Sequence, residues 1–134
     1  MIPLRPLILV LALAGCTTTQ EAPLSYAGAF KPMPYPEAVF ASPLAAASAL
    51  VGNFPESREG GPQLNMEIVS DPDGKADFLI RATARGYLDD SVAGEQWLAR
   101  LRRLGEGWAF ADAGNRWTCQ RGAQPGSWVI TPCP

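Results

Sequence analysis

Histidine is absent from the 134 residues. That omission removes the commonest general base, the commonest nucleophile activator and the imidazole metal ligand. Ser-His-Asp and Cys-His catalysis are excluded, and zinc would be left with cysteines and carboxylates, an uncommon donor set. No metal and no cofactor is therefore expected. The densest carboxylate group is Asp89, Asp90 and Glu95, following Gly86-Tyr87-Leu88. Two carboxyl groups a few ångströms apart can divide into acid and base for glycoside cleavage, or ligate calcium. The same residues also make a polar turn, in which Asp side chains bond to their own backbone, and the turn is the reading adopted. Asp71 and Asp73 are explained by the turn Asp71-Pro72-Asp73-Gly74, and neither group has the spaced oxygen ligands of a calcium loop.

Aromatic placement is more informative. All four tryptophans, at 97, 108, 117 and 128, lie towards the C-terminus. Exposed tryptophans stack on sugar rings or anchor protein partners. Trp108 and Trp117 read as core fillers, whereas Trp97 and Trp128, with Asp89 and Asp90, make the candidate binding surface. With 11 basic against 13 acidic side chains the net charge is −2, and no concentrated basic surface invites nucleic acid. The one dense basic cluster, Arg100, Arg102 and Arg103, reads as a solvated face.

The elements that must position these residues follow from periodicity. Ser42-Pro43 opens a helix, with serine as N-cap and proline at the first helical position, and Gly52-Asn53 and Pro55 end it. Leu64, Met66 and Ile68 then alternate with Asn65 and Glu67, a half-buried strand. After the Asp71–Gly74 turn, Phe78, Ile80, Ala82 and Ala84 alternate with Asp77, Arg81, Thr83 and Arg85, Leu79 being the one violation, so 64–70 and 76–87 are expected to form a hairpin. The segment 92–104 fits two patterns, because Trp97, Leu98, Leu101 and Leu104 make a helical stripe while Trp97, Ala99 and Leu101 share one face of a strand. Past Gly105-Glu106-Gly107, the segment 108–119 reads as a strand. Taking 92–104 as a strand, the fold class expected is α+β: one short N-terminal helix packed on a four-stranded antiparallel meander.

At the other end, Arg5 precedes the apolar run Leu7–Ala14, which is shorter than the about 20 residues of a membrane-spanning helix and has the layout of an export signal. Leu13-Ala14-Gly15-Cys16 resembles the lipobox of bacterial lipoproteins. The resemblance implies cleavage before Cys16, a diacylglyceryl thioether on its sulfur and acylation of the new amino group. Buried acyl chains contribute about 0.8 kcal/mol per CH₂, and a single chain holds only marginally, so several make the attachment durable. Thr17, in place of the retention aspartate of inner-membrane lipoproteins, favours the outer membrane. The organisation expected is thus a signal peptide over 1–15, a lipidated flexible tether over 16–36 and one globular domain over 37–134. Thr17-Thr18-Thr19-Gln20 is polar and Lys31-Pro32-Met33-Pro34-Tyr35-Pro36 alternates proline. Some 20 such residues at about 3.1 Å each reach ~60 Å from a bilayer.

Outside the cytoplasm disulfides persist. With Cys16 spent on lipid, Cys119 and Cys133 are expected to pair, stapling a proline-rich tail. Tyr87-Leu88-Asp89-Asp90-Ser91-Val92, Gly107-Trp108, Arg116-Trp117-Thr118-Cys119, Trp128 and Cys133 together resemble the C-terminal halves of uncharacterised secreted bacterial proteins. In those, a tryptophan-bearing strand ends in cysteine and is followed by a histidine-containing loop, a tryptophan and a closing cysteine. The resemblance implies a strand over 92–104 and the Cys119–Cys133 pairing. Gln124-Pro125-Gly126 stand in the region of that histidine, and no function comes with the resemblance. The expectation is a non-enzymatic binding or structural module anchored in the outer membrane through Cys16, facing the periplasm, with an envelope protein or peptidoglycan as partner. The alternatives are a wall-glycan hydrolase using Asp89, Asp90 or Glu95, and an inhibitor of lysozyme.

Overall fold

The computed structural model describes residues 29–52, 54 and 60–134. The expected signal peptide and Cys16 lie outside the described residues. Among the described residues no helix is long and apolar enough to cross a membrane.

Among the described residues, six strands and one helix follow in chain order: β1 (Lys31–Pro32), α1 (Pro43–Val51), β2 (Gln63–Ser70), β3 (Phe78–Arg85), β4 (Val92–Leu104), β5 (Gly107–Cys119) and β6 (Trp128–Val129). All the strands belong to one antiparallel sheet, ordered β1-β5-β4-β3-β2, with β6 also on β5. The expected α+β class with four strands is thereby corrected to a mostly β fold of six strands with one helix of nine residues. The missed strands, β1 and β6, are two residues each, too short to show any alternation. Within the segment read from sequence as tether, residues 31–33 join the sheet. Lys31 and Pro32 pair with Asn115 and Gly114, and the Met33 N–H donates to the Ala113 carbonyl.

Local chemistry explains each element. The Ser42 Oγ caps α1 by accepting from the Ala45 N–H at 3.1 Å, Pro43 occupies the first turn, and Gly52 ends it at φ 62°. The helix buries Ala46, Ala47 and Leu50 against Ile80, Ala82, Ala84, Trp97, Ala99 and Leu101 of the sheet. Hairpin β2–β3 runs in register from Gln63↔Arg85 to Ser70↔Phe78. Between β4 and β5 the turn is Gly105-Glu106, with Gly105 at φ 59°, the positive angle that two-residue hairpin turns require.

The segment 92–104 is a strand, and both of its faces are covered at its centre. Trp97, Ala99 and Leu101 belong to the core beneath α1, whereas Leu98 packs on the other face with Leu79 and Phe30. Register shifts between Val92 and Gly94 and between Arg100 and Leu101 leave Ala93 and Ala111 as bulged residues. The bulged Ala111 carbonyl accepts from the Tyr35 hydroxyl at 3.2 Å.

Candidate functional site

Strand parity divides the sheet into an apolar inner face under α1 and an outer face read from paired residues, since directly opposed residues lie on the same side. Three of the lanes that cross the outer face bear on the site. The first is Gln63, Arg85, Gly94, Thr118 and Trp128; the second is Asn65, Thr83, Gln96 and Arg116; the third is Glu67, Arg81, Leu98 and Gly114. Gln63, Asn65, Glu67, Arg81, Thr83, Arg85, Gln96 and Trp128 line an open trough of about 650 Å³.

The second lane is a hydrogen-bonded relay. Arg116 Nε donates to Gln96 Oε1 at 2.9 Å, and Gln96 Nε2 donates to Thr83 Oγ1 at 2.8 Å. In the third lane Arg81 is ion-paired with Glu67, its Nε donating at 2.7 Å. Trp128 closes the trough with two cations against its ring. The Arg85 guanidinium lies 4.8 Å and that of Arg116 5.2 Å from the ring centroid, and Arg116 also covers Phe30 at 4.4 Å. Both guanidiniums approach one ring centroid at about 5 Å, so they stand no more than about 10 Å apart. Stacking orients a guanidinium while leaving its edge N–H groups for a ligand. Arg85 is exposed and has no ion pair among the described residues. With Arg81 paired to Glu67, the exposed Arg85 brings a positive charge to the trough. Buried beneath, Thr118 is 1 % exposed and its Oγ1 has no hydrogen-bond partner among the described residues.

The residues expected to form a binding surface are not gathered in one place. Trp97 is not at the surface: it is a core residue, its ring edge-on to Phe54 at 5.7 Å. Trp128 is half-buried on the opposite side of the sheet. Trp108 and Trp117, expected in the core, are half-buried, and Trp108 packs against the core cluster. Phe78 and Arg103 pack on Trp108, and Lys31 lies over Trp117.

Asp89 and Asp90 are exposed in the β3–β4 connection. Asp89 Oδ1 accepts from the Ser91 N–H at 2.7 Å, the Ser91 hydroxyl at 3.0 Å and the Val92 N–H at 2.9 Å, which is the work of a turn. Asp90 approaches Arg121 at 3.6 Å. Glu95 is buried in β4 and accepts from Asn115 Nδ2 at 3.1 Å. Among the described residues no group of three His, Cys, Asp or Glu side chains is arranged to hold a metal.

Cys119 and Cys133 are joined by a disulfide. The loop it closes carries β6, so the cross-link and the Thr118↔Trp128 pairing together set Trp128 over the trough.

A second charged cluster lies further along the outer face, and it corrects the reading of Arg100 as solvated. Arg102 and Arg103 are exposed, but the Arg100 side chain is 4 % exposed. Its Nε donates to Asp71 Oδ2 at 3.1 Å, Nη2 to Asp73 at 2.6 Å and Nη1 to Asp112 at 3.4 Å. Asp71 also accepts from the N–H groups of Asp73, Lys75 and Ala76. Burial by itself would raise the Asp71 pKa. The backbone donors and Arg100 outweigh that and hold it below the ordinary 3.8. For Arg100, burial pulls the pKa down, and Asp112 and Asp71 more than restore it. This cluster ties the β2–β3 turn to β4 and β5.

The chain has no significant match among known protein families, curated proteins or solved structures.

Proposed function

We propose that this chain is a non-enzymatic module of the bacterial envelope, anchored by lipid on Cys16, whose outer sheet face binds peptidoglycan. The observation that carries the binding reading is the exposed Arg85 guanidinium, held against Trp128 beside the amide and hydroxyl groups of Asn65, Thr83 and Gln96. That set suits a ligand with both hydroxyls and carboxylates. Guanidiniums take carboxylates in charge-assisted hydrogen bonds, and amides and hydroxyls both donate and accept. Peptidoglycan offers sugar hydroxyls and stem-peptide carboxylates on one polymer. The anchor rests on Leu13-Ala14-Gly15-Cys16 after an apolar run. The absence of histidine and the turn role of Asp89 favour binding over catalysis.

Co-sedimentation of the full chain, in detergent, with purified sacculi tests the binding. Trp128→Ala and Arg85→Gln should each weaken retention about tenfold, the effect of losing one interface anchor. Added salt should weaken it further. Retention equal to wild type in both variants, or no retention at all, overturns the reading. Intact mass measurement of the processed protein should show a lipidated Cys16; an unmodified thiol there removes the anchor.

A further inference from the structure

The two edges of the sheet differ. Along β5 the outer edge is covered by the Phe40↔Trp108 bridge, by β1 and by β6. The outer edge of β2, from Gln63 to Ser70, has no strand partner among the described residues. An unpaired row of N–H and C=O groups is a template for another strand, and proteins normally guard it with proline, lysine or a bulge. β2 has no proline and no lysine, and its pairing with β3 runs without a register break. Its one charge, Glu67, is tied to Arg81. Leu64, Met66 and Ile68 on its inner face are only half-buried, leaving apolar surface that a neighbouring strand would cover.

We infer that β2 pairs antiparallel with β2 of a second copy of this chain, about a two-fold axis at Met66. The register follows from side-chain parity and charge. Opposed residues share a face, so an axis between two residues would set the apolar face of one copy against the polar face of the other. An axis at Glu67 opposes two like charges, which is destabilising. Axes at Asn65 or Ile68 shorten the ladder, and the former brings Pro62, which has no N–H, into it. With the axis at Met66, pairing runs from Gln63 to Val69 in both copies. Leu64 then faces Ile68, Met66 faces its own counterpart, and Asn65 faces Glu67 as an amide–carboxylate pair formed twice. An isologous two-fold contact requires this self-complementarity. The contact shares Asn65 and Glu67 with the lining of the trough, so association is measured without sacculi present.

Cross-linking of the full chain in detergent tests the register. Met66→Cys should link to its counterpart through a short bis-maleimide above the wild-type background. Gln63→Cys should not, because the two copies of position 63 stand roughly 20 Å apart. Asn65 is exposed, so its variants fold. Asn65→Glu opposes Glu67 twice and should raise the dimer dissociation constant about tenfold by sedimentation, and Asn65→Lys should lower it. A monomer at all concentrations overturns the inference. So does a dimer in which Met66→Cys links no better than Gln63→Cys and both Asn65 variants associate as wild type, which would put the contact elsewhere.

Discussion

Replacing Asp71 by alanine should cost about 3–5 kcal/mol of folding stability at neutral pH, the usual effect of removing one partner of a buried ion pair. The Asp71 side chain is inaccessible, and its carboxylate answers three backbone N–H groups as well as Arg100. Each orphaned donor that water cannot reach adds roughly 1 kcal/mol or more. Asp73 and Asp112 still neutralise Arg100, which keeps the loss from going higher. Arg100→Met should cost less, about 1–3 kcal/mol. Asp73 and Asp112 are a third or more exposed and return to water, and Asp71 keeps its backbone donors. Since a small domain has only about 5–15 kcal/mol in total, urea titrations resolve this order. The pH dependence has a definite sign. A carboxyl whose folded pKa lies below the ordinary 3.8 contributes its full stability above that value. The contribution is lost as pH falls through the lowered folded value. The gap between wild type and Asp71→Ala should therefore be constant from neutrality down to about pH 5 and close on further acidification. A neutral-pH loss under about 1 kcal/mol, Arg100→Met costing more than Asp71→Ala, or a gap that persists in acid would each refute this account of the cluster.

Opening the disulfide by Cys119→Ser with Cys133→Ser should remove roughly 3 kcal/mol, since its sequence separation of 14 closes a loop of that class. Tryptophan fluorescence should also shift as Trp128 leaves Arg85 and Arg116. An unchanged unfolding midpoint would show that β6 pairing alone holds the tail. Gly94→Ala should cost about 1–3 kcal/mol by overpacking, because a Cβ there would stand 2.5 Å from the Ala84 carbonyl oxygen, backbone that cannot step aside; calorimetry reads it, and a neutral result would show that β3 and β4 can separate locally. Trp97→Ala should cost about 3–5 kcal/mol as a core truncation without changing retention on sacculi, which separates it from Trp128.

How much of this the sequence shows depends on whether a strand has one wet face. β2 and β3 alternate visibly because their outer residues, Asn65, Glu67, Arg81 and Thr83, meet water or one another while Leu64, Ile80 and Ala82 turn inward. β4 loses the alternation because it is buried without a break from Gly94 to Leu101. Covered on both faces, it reads equally as a helix. The same double burial misplaces Trp97 and Arg100, since neither residue type announces a buried position. Only the neighbouring strands show that Trp97 lies under α1 and that Arg100 reaches three aspartates. Trp128, half-buried on the outer face, meets Arg85 and Arg116 only across strand pairings that local pattern cannot fix.

Those pairings also explain why Arg85 can reach Trp128 at all. Arg85, Gly94, Thr118 and Trp128 sit on successive strands of one lane, and three strand spacings amount to roughly 14 Å. A guanidinium on β3 lies 4.8 Å from a ring on β6 only because little stands between them. Gly94 contributes no side chain, and Thr118 is buried. A glycine in a central strand is ordinarily a weakness; here it lets Ala84 approach and keeps the lane open for the arginine. Gly94 thus couples the packing of β3 on β4 to the geometry of the trough. A side chain introduced there should disturb the Arg85–Trp128 stack in the same step that it destabilises the sheet, whereas Gln63 and Asn65, at the free end of each lane, can change without touching it.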